Sequence, residues 1–138
     1  MLIIDNQTDS DLSEDIFHAM LDLVCREEGC ADKDVNLILS SDGSIRELNR
    51  KYLGKDALTD VISFSSSNEF TPSLGDIIID TRVAEQQKSN HSLLEEVAYL
   101  FLHGILHLLG YDHLAAASRL QMETKQEYYW LKCKELIR

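Results

Sequence analysis

The sequence predicts an α+β fold: one small domain, residues 1–138, with a mixed, roughly four-stranded sheet packed on helices. Three observations carry this prediction. Short β-branched and apolar runs all fall before Asp80, helical patterns first alternate with them and then follow in succession, and the length suits a single core. A composition of 44% hydrophobic and 27% charged residues is that of a chain that folds rather than one that stays disordered.

Met1 to Ile4 reads as a short N-terminal strand. It meets Asp5 at once, too soon for the apolar stretch of an export leader or a bilayer span, so a cytoplasmic location away from membranes is expected. Asp11 and Glu14 have the spacing of a capping box and precede a helical stripe of Ile16, Ala19, Met20, Leu23 and Val24 that ends near Gly29. Val35 to Leu39 reads as a strand. Ser44 with Glu47 forms a second box, opening a helix that carries Ile45, Leu48 and Tyr52 and stops at Gly54. Val61 to Phe64 and Leu74 to Ile79 are two further strands, on either side of a polar loop from Ser65 to Ser73. A short helix is expected after Thr81. Ser92 and Glu95 then open a helix that is apolar on nearly every side from Leu93 to Leu109, the pattern of a buried helix. Leu114 to Ile137 is rich in helix formers with a blurred apolar stripe, and reads as a final helix.

Charge and cysteine content narrow the function. With 24 acidic against 13 basic residues the net charge is −11, which repels nucleic acid and anionic membranes at long range. Residues 46–55 run against this balance: Arg46, Arg50, Lys51 and Lys55 face only Glu47, giving the segment +3 and leaving the rest at −14. Such a strip is either a contact for phosphates or a solvated helix face. Cys25, Cys30 and Cys133 are odd in number and lack CxxC spacing, so reduced thiols are expected.

The chemistry lies in the buried helix, which reads His103-Gly104-Ile105-Leu106-His107-Leu108-Leu109-Gly110-Tyr111-Asp112-His113. Residues four apart on a helix stand one above the other, with side-chain bases roughly 6 Å apart, so His103 and His107 can aim at one ion. Gly110 can take the left-handed conformation that ends a helix, and the turn then delivers His113. A single histidine on an apolar helix is ordinarily a core residue bonded to backbone. Three in ligand register, buried without partners, would cost several kcal/mol. A divalent transition metal is therefore expected on His103, His107 and His113. Zinc is the first expectation, although nickel, copper and iron suit the same donors. With three protein ligands the fourth position is open to water, which points to catalysis. Asp112 either closes the site or, preferably, orients a histidine from behind. His18 and His91 lie outside the register and read as surface or locally bonded residues.

The skeleton H-x-x-x-H-x-x-G-x-x-H resembles that of the metzincin proteases, but Gly104 stands where their glutamate acts as general base, so peptide hydrolysis by that route is not expected. The whole run HGILHLLGYDH resembles the YbeY family of bacterial endoribonucleases and ribosomal RNA maturation factors. So do Leu48-Asn49, Gly54-Lys55-Asp56, Thr59-Asp60-Val61-Ile62-Ser63-Phe64 and Leu74-Gly75-Asp76-Ile77. The resemblance implies an α+β fold, a three-histidine zinc site, and metal-dependent cleavage of single-stranded RNA. It also implies work on the 3′ end of small-subunit 16S ribosomal RNA and in ribosome quality control, with the ribosome or a ribosomal protein as partner and no DNA. By the same resemblance Thr59, Asp60 and Ser63 line the substrate groove; read from the residues alone, Thr59 and Asp60 simply cap a turn. The sequence departs from the family at Leu53, where an arginine is usual, and at Leu58 and Ser65, where prolines are usual. Arg46 and Arg50 precede Leu53 by helical spacings and are candidates for the missing charge. Two alternatives stay open: a non-catalytic, metal-stabilised ribosome-assembly factor, and a different metallohydrolase on the same three-histidine skeleton.

Overall fold

The computed structural model describes residues 1–54, 59–66 and 72–137. Lys55, Asp56 and Leu58, and most of the expected 65–73 loop, lie outside them. The elements follow the predicted order: β1 (Leu2–Asn6), α1 (Glu14–Glu28), β2 (Asp34–Ser40), α2 (Ser44–Leu53), β3 (Val61–Ser65), β4 (Ser73–Asp80), α3 (Thr81–Gln87), α4 (Leu93–Leu108) and α5 (Ala116–Ile137). The sheet order is β1-β2-β4-β3, with β1, β2 and β4 parallel and β3 antiparallel to β4.

Both faces of this sheet are covered, and the two-residue period of the strands divides their side chains between two cores. Val35, Leu37, Leu39, Ile77 and Ile79 point into the main core with Phe17, Met20 and Val24 of α1 and Phe101, Leu102, Ile105 and Leu106 of α4. Ile38, Ile62, Ile78 and Phe64 point the other way, onto Ile45 and Leu48 of α2. The helix α4 is sandwiched between β3 and β4 on one side and α1 and α5 on the other, which explains its all-round apolar sequence.

Two of the expected caps form differently. The helix α1 starts at Glu14 with Ser13 at its N-cap, so Asp11 and Glu14 do not make a box. Its buried stripe is Phe17, Met20, Leu21, Val24 and Cys25, rotated from the one expected, with Ile16 and Leu23 only half-buried at its margin. In α2 the N-cap is Gly43, because the Asp42 carboxylate accepts from the Ser44 backbone N–H at 2.9 Å and Ser44 is already helical. Glu47 instead pairs with Arg50 one turn on. At α4 the box forms as expected, with Ser92 Oγ accepting from the Glu95 N–H at 3.1 Å. The stripe of α5 is Met122, Gln126, Tyr129 and Cys133, four positions at helical spacing with a glutamine among them. All three cysteines are free and buried. Among the described residues no helix is long and apolar enough to cross a membrane.

Candidate metal centre

The three histidines converge because the end of α4 is built to turn back on itself. The Gly110 N–H donates to the His107 carbonyl and the Tyr111 N–H to the Leu106 carbonyl, both at 3.0 Å, with Gly110 at φ 101°. This is a Schellman termination, and φ in that range is the reason for glycine at position 110. The turn folds His113 over the helix end, and Asp112 braces it by accepting from the Leu114 N–H at 3.0 Å. His103 Nε2 then stands 3.1 Å from His107 Nε2 and 3.3 Å from His113 Nε2. In a tetrahedral site with Zn–N bonds of about 2.0–2.1 Å, ligand nitrogens are roughly 3.3 Å apart, and the two separations from His103 match that spacing.

Electrostatics agree with a ligand role. Burial, reinforced by the neighbouring His107 and His113, lowers the His103 pKa to about 4, although the Asp60 carboxylate works against the shift. Burial and His113 likewise lower His107, opposed by Asp112. Neutral imidazoles present lone pairs, and a transition metal takes imidazole in that form. Among the described residues these three histidines are the group whose donor atoms can meet on one ion, all within 4.8 Å of one another. Asp112 is not part of it, and acts on His107 through its charge.

Gly104 faces away from the cluster and onto the sheet. A Cβ there would stand 2.8 Å from Ile77 Cγ2, and Ile77 is fully buried, so any side chain at this position would force the packing to shift. Ser63 Oγ reaches the Gly104 carbonyl at 3.4 Å and ties β3 to the same turn of helix.

Two cavities meet at the histidines. One, of about 660 Å³, runs past Asn49 and Leu53 of α2, Thr59, Asp60 and Ser63, and ends at the three rings. The other, of about 620 Å³, lies between α4 and α5 beside Tyr99, Met122, Gln126 and Trp130. Thr59, Asp60 and Ser63 thus line the groove. Asp60 also caps its turn, accepting from the Val61 N–H at 2.8 Å and from Gln87 Nε2 at 2.7 Å. Leu53 takes a place in the wall. Arg46, Arg50 and Lys51 do not: all three are exposed on α2, Arg50 paired with Glu47 and Lys51 set over the Tyr52 ring. Lys55 lies outside the described residues. His18 is exposed, and His91 contacts Glu96 at 2.6 Å, away from the cluster.

Sequence reasoning gave no role to three residues here. Asn49 is a buried polar side chain in the groove wall, and its signal was a polar residue one turn after Ile45 on the apolar stripe of α2. Glu28, at the end of α1, accepts from Tyr111 Oη at 2.7 Å, from Lys125 Nζ at 3.0 Å and from Tyr129 Oη. It thereby anchors the turn that carries His113 from 83 residues away. Burial opposes the charge on Glu28, but the hydrogen bonds from Tyr129, Tyr111 and Lys125 outweigh it and hold the carboxyl below its ordinary value. Gln126 is the third.

A buried helix over a mixed sheet, ending in three converging imidazoles that face an open groove, defines a small α+β protein with a three-histidine cluster able to hold a metal. Comparison with known proteins makes the assignment specific. The chain belongs to the YbeY family: the family model described as endoribonuclease YbeY matches residues 3–134. A relative named endoribonuclease YbeY in Finegoldia magna is 39% identical, the match covering 89% of this chain and 84% of the relative. One of the same name in Bacillus subtilis is 40% identical over 78% of each chain. The solution structure of TM1509 from Thermotoga maritima superimposes with a TM-score of 0.65 at 27% identity, covering 96% of this chain and 89% of that one.

Proposed function

We propose that this chain is a metal-dependent, single-strand-specific endoribonuclease. In this reading it matures the 3′ end of small-subunit 16S ribosomal RNA and serves ribosome quality control, in the cytoplasm and in contact with the ribosome or a ribosomal protein. The observation that carries the reading is the convergence of His103, His107 and His113 at the head of an open groove in a chain of this family. The three imidazoles would hold zinc, or nickel or another divalent transition metal. A bound ion supplies Lewis-acid polarisation of a phosphoryl oxygen and an activated water.

The remaining work falls to the chain's own residues. Thr59 and Ser63 place hydroxyls along the groove wall that would turn from the Asp60 carboxylate and the Gly104 carbonyl to donate to phosphate oxygens. Asp60, bonded on both carboxylate oxygens, keeps the turn between them in place. The exposed cations Arg46, Arg50 and Lys51, with Lys55 by sequence, form a strip on the approach to the groove, where they draw a phosphate backbone against the −11 charge of the whole. Asp112 braces the turn that presents His113.

One observation favours a second reading, a non-catalytic assembly factor stabilised by its metal: among the described residues the groove wall has no lysine or arginine, and Leu53 sits where the family carries an arginine. A different metallohydrolase is disfavoured, because Gly104, packed on Ile77, stands where the metzincin skeleton carries its glutamate base. The deciding experiment is cleavage of a single-stranded ribosomal RNA fragment and of its duplex, after chelation and after zinc is restored. Zinc-dependent cleavage of the single strand alone is expected. Stoichiometric zinc with neither strand form cut would select the assembly factor.

A further inference from the structure

His103 has a second ring nitrogen, and its surroundings account for it. Its Nε2 faces the other two imidazoles at 3.1 and 3.3 Å, so this is the lone pair offered to an ion. A neutral imidazole carries one proton, which in this tautomer sits on Nδ1 and requires an acceptor in a buried site.

On α5, packed against α4, Gln126 is 6% exposed. Its Nε2 donates to the Tyr99 carbonyl at 3.4 Å. Tyr99 is one helical turn before His103, so its carbonyl sits directly beneath that ring. A carbonyl has no proton to donate, so the NH2 end of the amide faces it and Oε1 is left as the other end. That oxygen is shielded from solvent and has no hydrogen-bond partner within ordinary distance. A shielded atom is not one a diffusing ligand reads.

We infer that Gln126 is a positioning residue of the metal centre: its amide oxygen accepts the Nδ1–H of His103 and fixes the ring's tautomer and direction, while its amide nitrogen is held by the Tyr99 carbonyl. His103 and Gln126 line the same cavity between α4 and α5. Partners of this kind behind a ligating histidine typically change metal affinity 10–100-fold when removed. The inference rests on the reading of the three histidines as a metal site and is independent of the reaction catalysed there.

The test is a competition titration of zinc against a chromophoric chelator for wild type, Gln126→Met and Gln126→Glu, with nitrogen-15 spectra of the histidine rings in zinc-bound wild type. Gln126→Met, similar in size but without an acceptor, is expected to bind zinc 10–100-fold more weakly, and Gln126→Glu, which keeps the acceptor but loses the donor to the Tyr99 carbonyl, to recover part of that loss. The wild-type spectrum is expected to show His103 protonated on Nδ1. Gln126→Met binding within about twofold of wild type would overturn the inference, since the expected loss is at least tenfold. If that variant does not fold, the spectrum decides: a His103 protonated on Nε2 overturns the inference and Nδ1 protonation supports it. Wild type without zinc affinity would take down the metal reading and this inference with it. Wild type that binds zinc but cuts no RNA, with the Gln126→Met loss intact, would support the inference and unseat only the nuclease.

Discussion

Replacing Glu28 tests how a residue far from the histidines in sequence holds the centre together. In Glu28→Ala three donors lose their acceptor: Tyr129, Tyr111 and Lys125. The Tyr129 side chain is 1% exposed, so its hydroxyl is stranded, which costs about 1–3 kcal/mol. Tyr111 and Lys125 are half-buried and can turn to water, so each adds no more than about 1 kcal/mol. The expected loss is about 1–5 kcal/mol in urea unfolding of the metal-free protein. For a chain of this size that corresponds to roughly 3–20 °C in Tm. Acid titration separates this cause from a general packing defect. Because the Glu28 carboxyl is held below its ordinary value of about 4.5, its contribution is complete above that pH in the native protein and is lost as pH falls through the lowered value. Glu28→Gln, which cannot ionise, is therefore expected to lose less stability than wild type on acidification. A Glu28→Ala cost under about 0.5 kcal/mol, or the same acid limb in Glu28→Gln, would refute the reasoning.

Gly104→Ala places a methyl 2.8 Å from Ile77 Cγ2 and is expected to cost about 1–3 kcal/mol, measured by chemical denaturation; combining it with Ile77→Ala should cost less than the two changes summed. Ser92→Ala removes the acceptor for the Glu95 N–H and is expected to lower stability by about 1 kcal/mol with zinc affinity unchanged, since the cap lies at the end of α4 away from the histidines. Leu53→Arg puts a cation into a groove wall that has none among the described residues; tighter binding of single-stranded RNA is expected, with a salt dependence steeper by about one phosphate contact in a filter-binding series.

The legible parts of this molecule are those whose causes are local. The strands and their succession along the chain emerged from runs of β-branched residues, and the convergence of three histidines from helix geometry plus one glycine, because all of that is decided within a few residues. The caps at Asp11 and Ser44 misled, since a box pattern says nothing about whether a neighbour such as Asp42 has already started the helix. In α1, apolar residues at 16, 17, 19, 20, 21, 23, 24 and 25 satisfy two overlapping stripes, and only the position of the sheet and α4 selects Phe17 and Leu21 over Ala19 and Leu23. The stripe of α5 was blurred for a related reason: Leu120 and Leu131 are exposed while Gln126 is buried, a reversal that helical periodicity alone does not anticipate. Glu28, Asn49 and Gln126 reach the site from three other helices, so no local pattern joins them to the histidines.

The most direct test pairs two readings on the same preparations: metal content by elemental analysis, and cleavage of a single-stranded ribosomal RNA fragment, for wild type and His107→Ala. The account predicts one metal per chain and cleavage in wild type, with both lost in the variant. Cleavage that persists in His107→Ala after its metal is gone would contradict it.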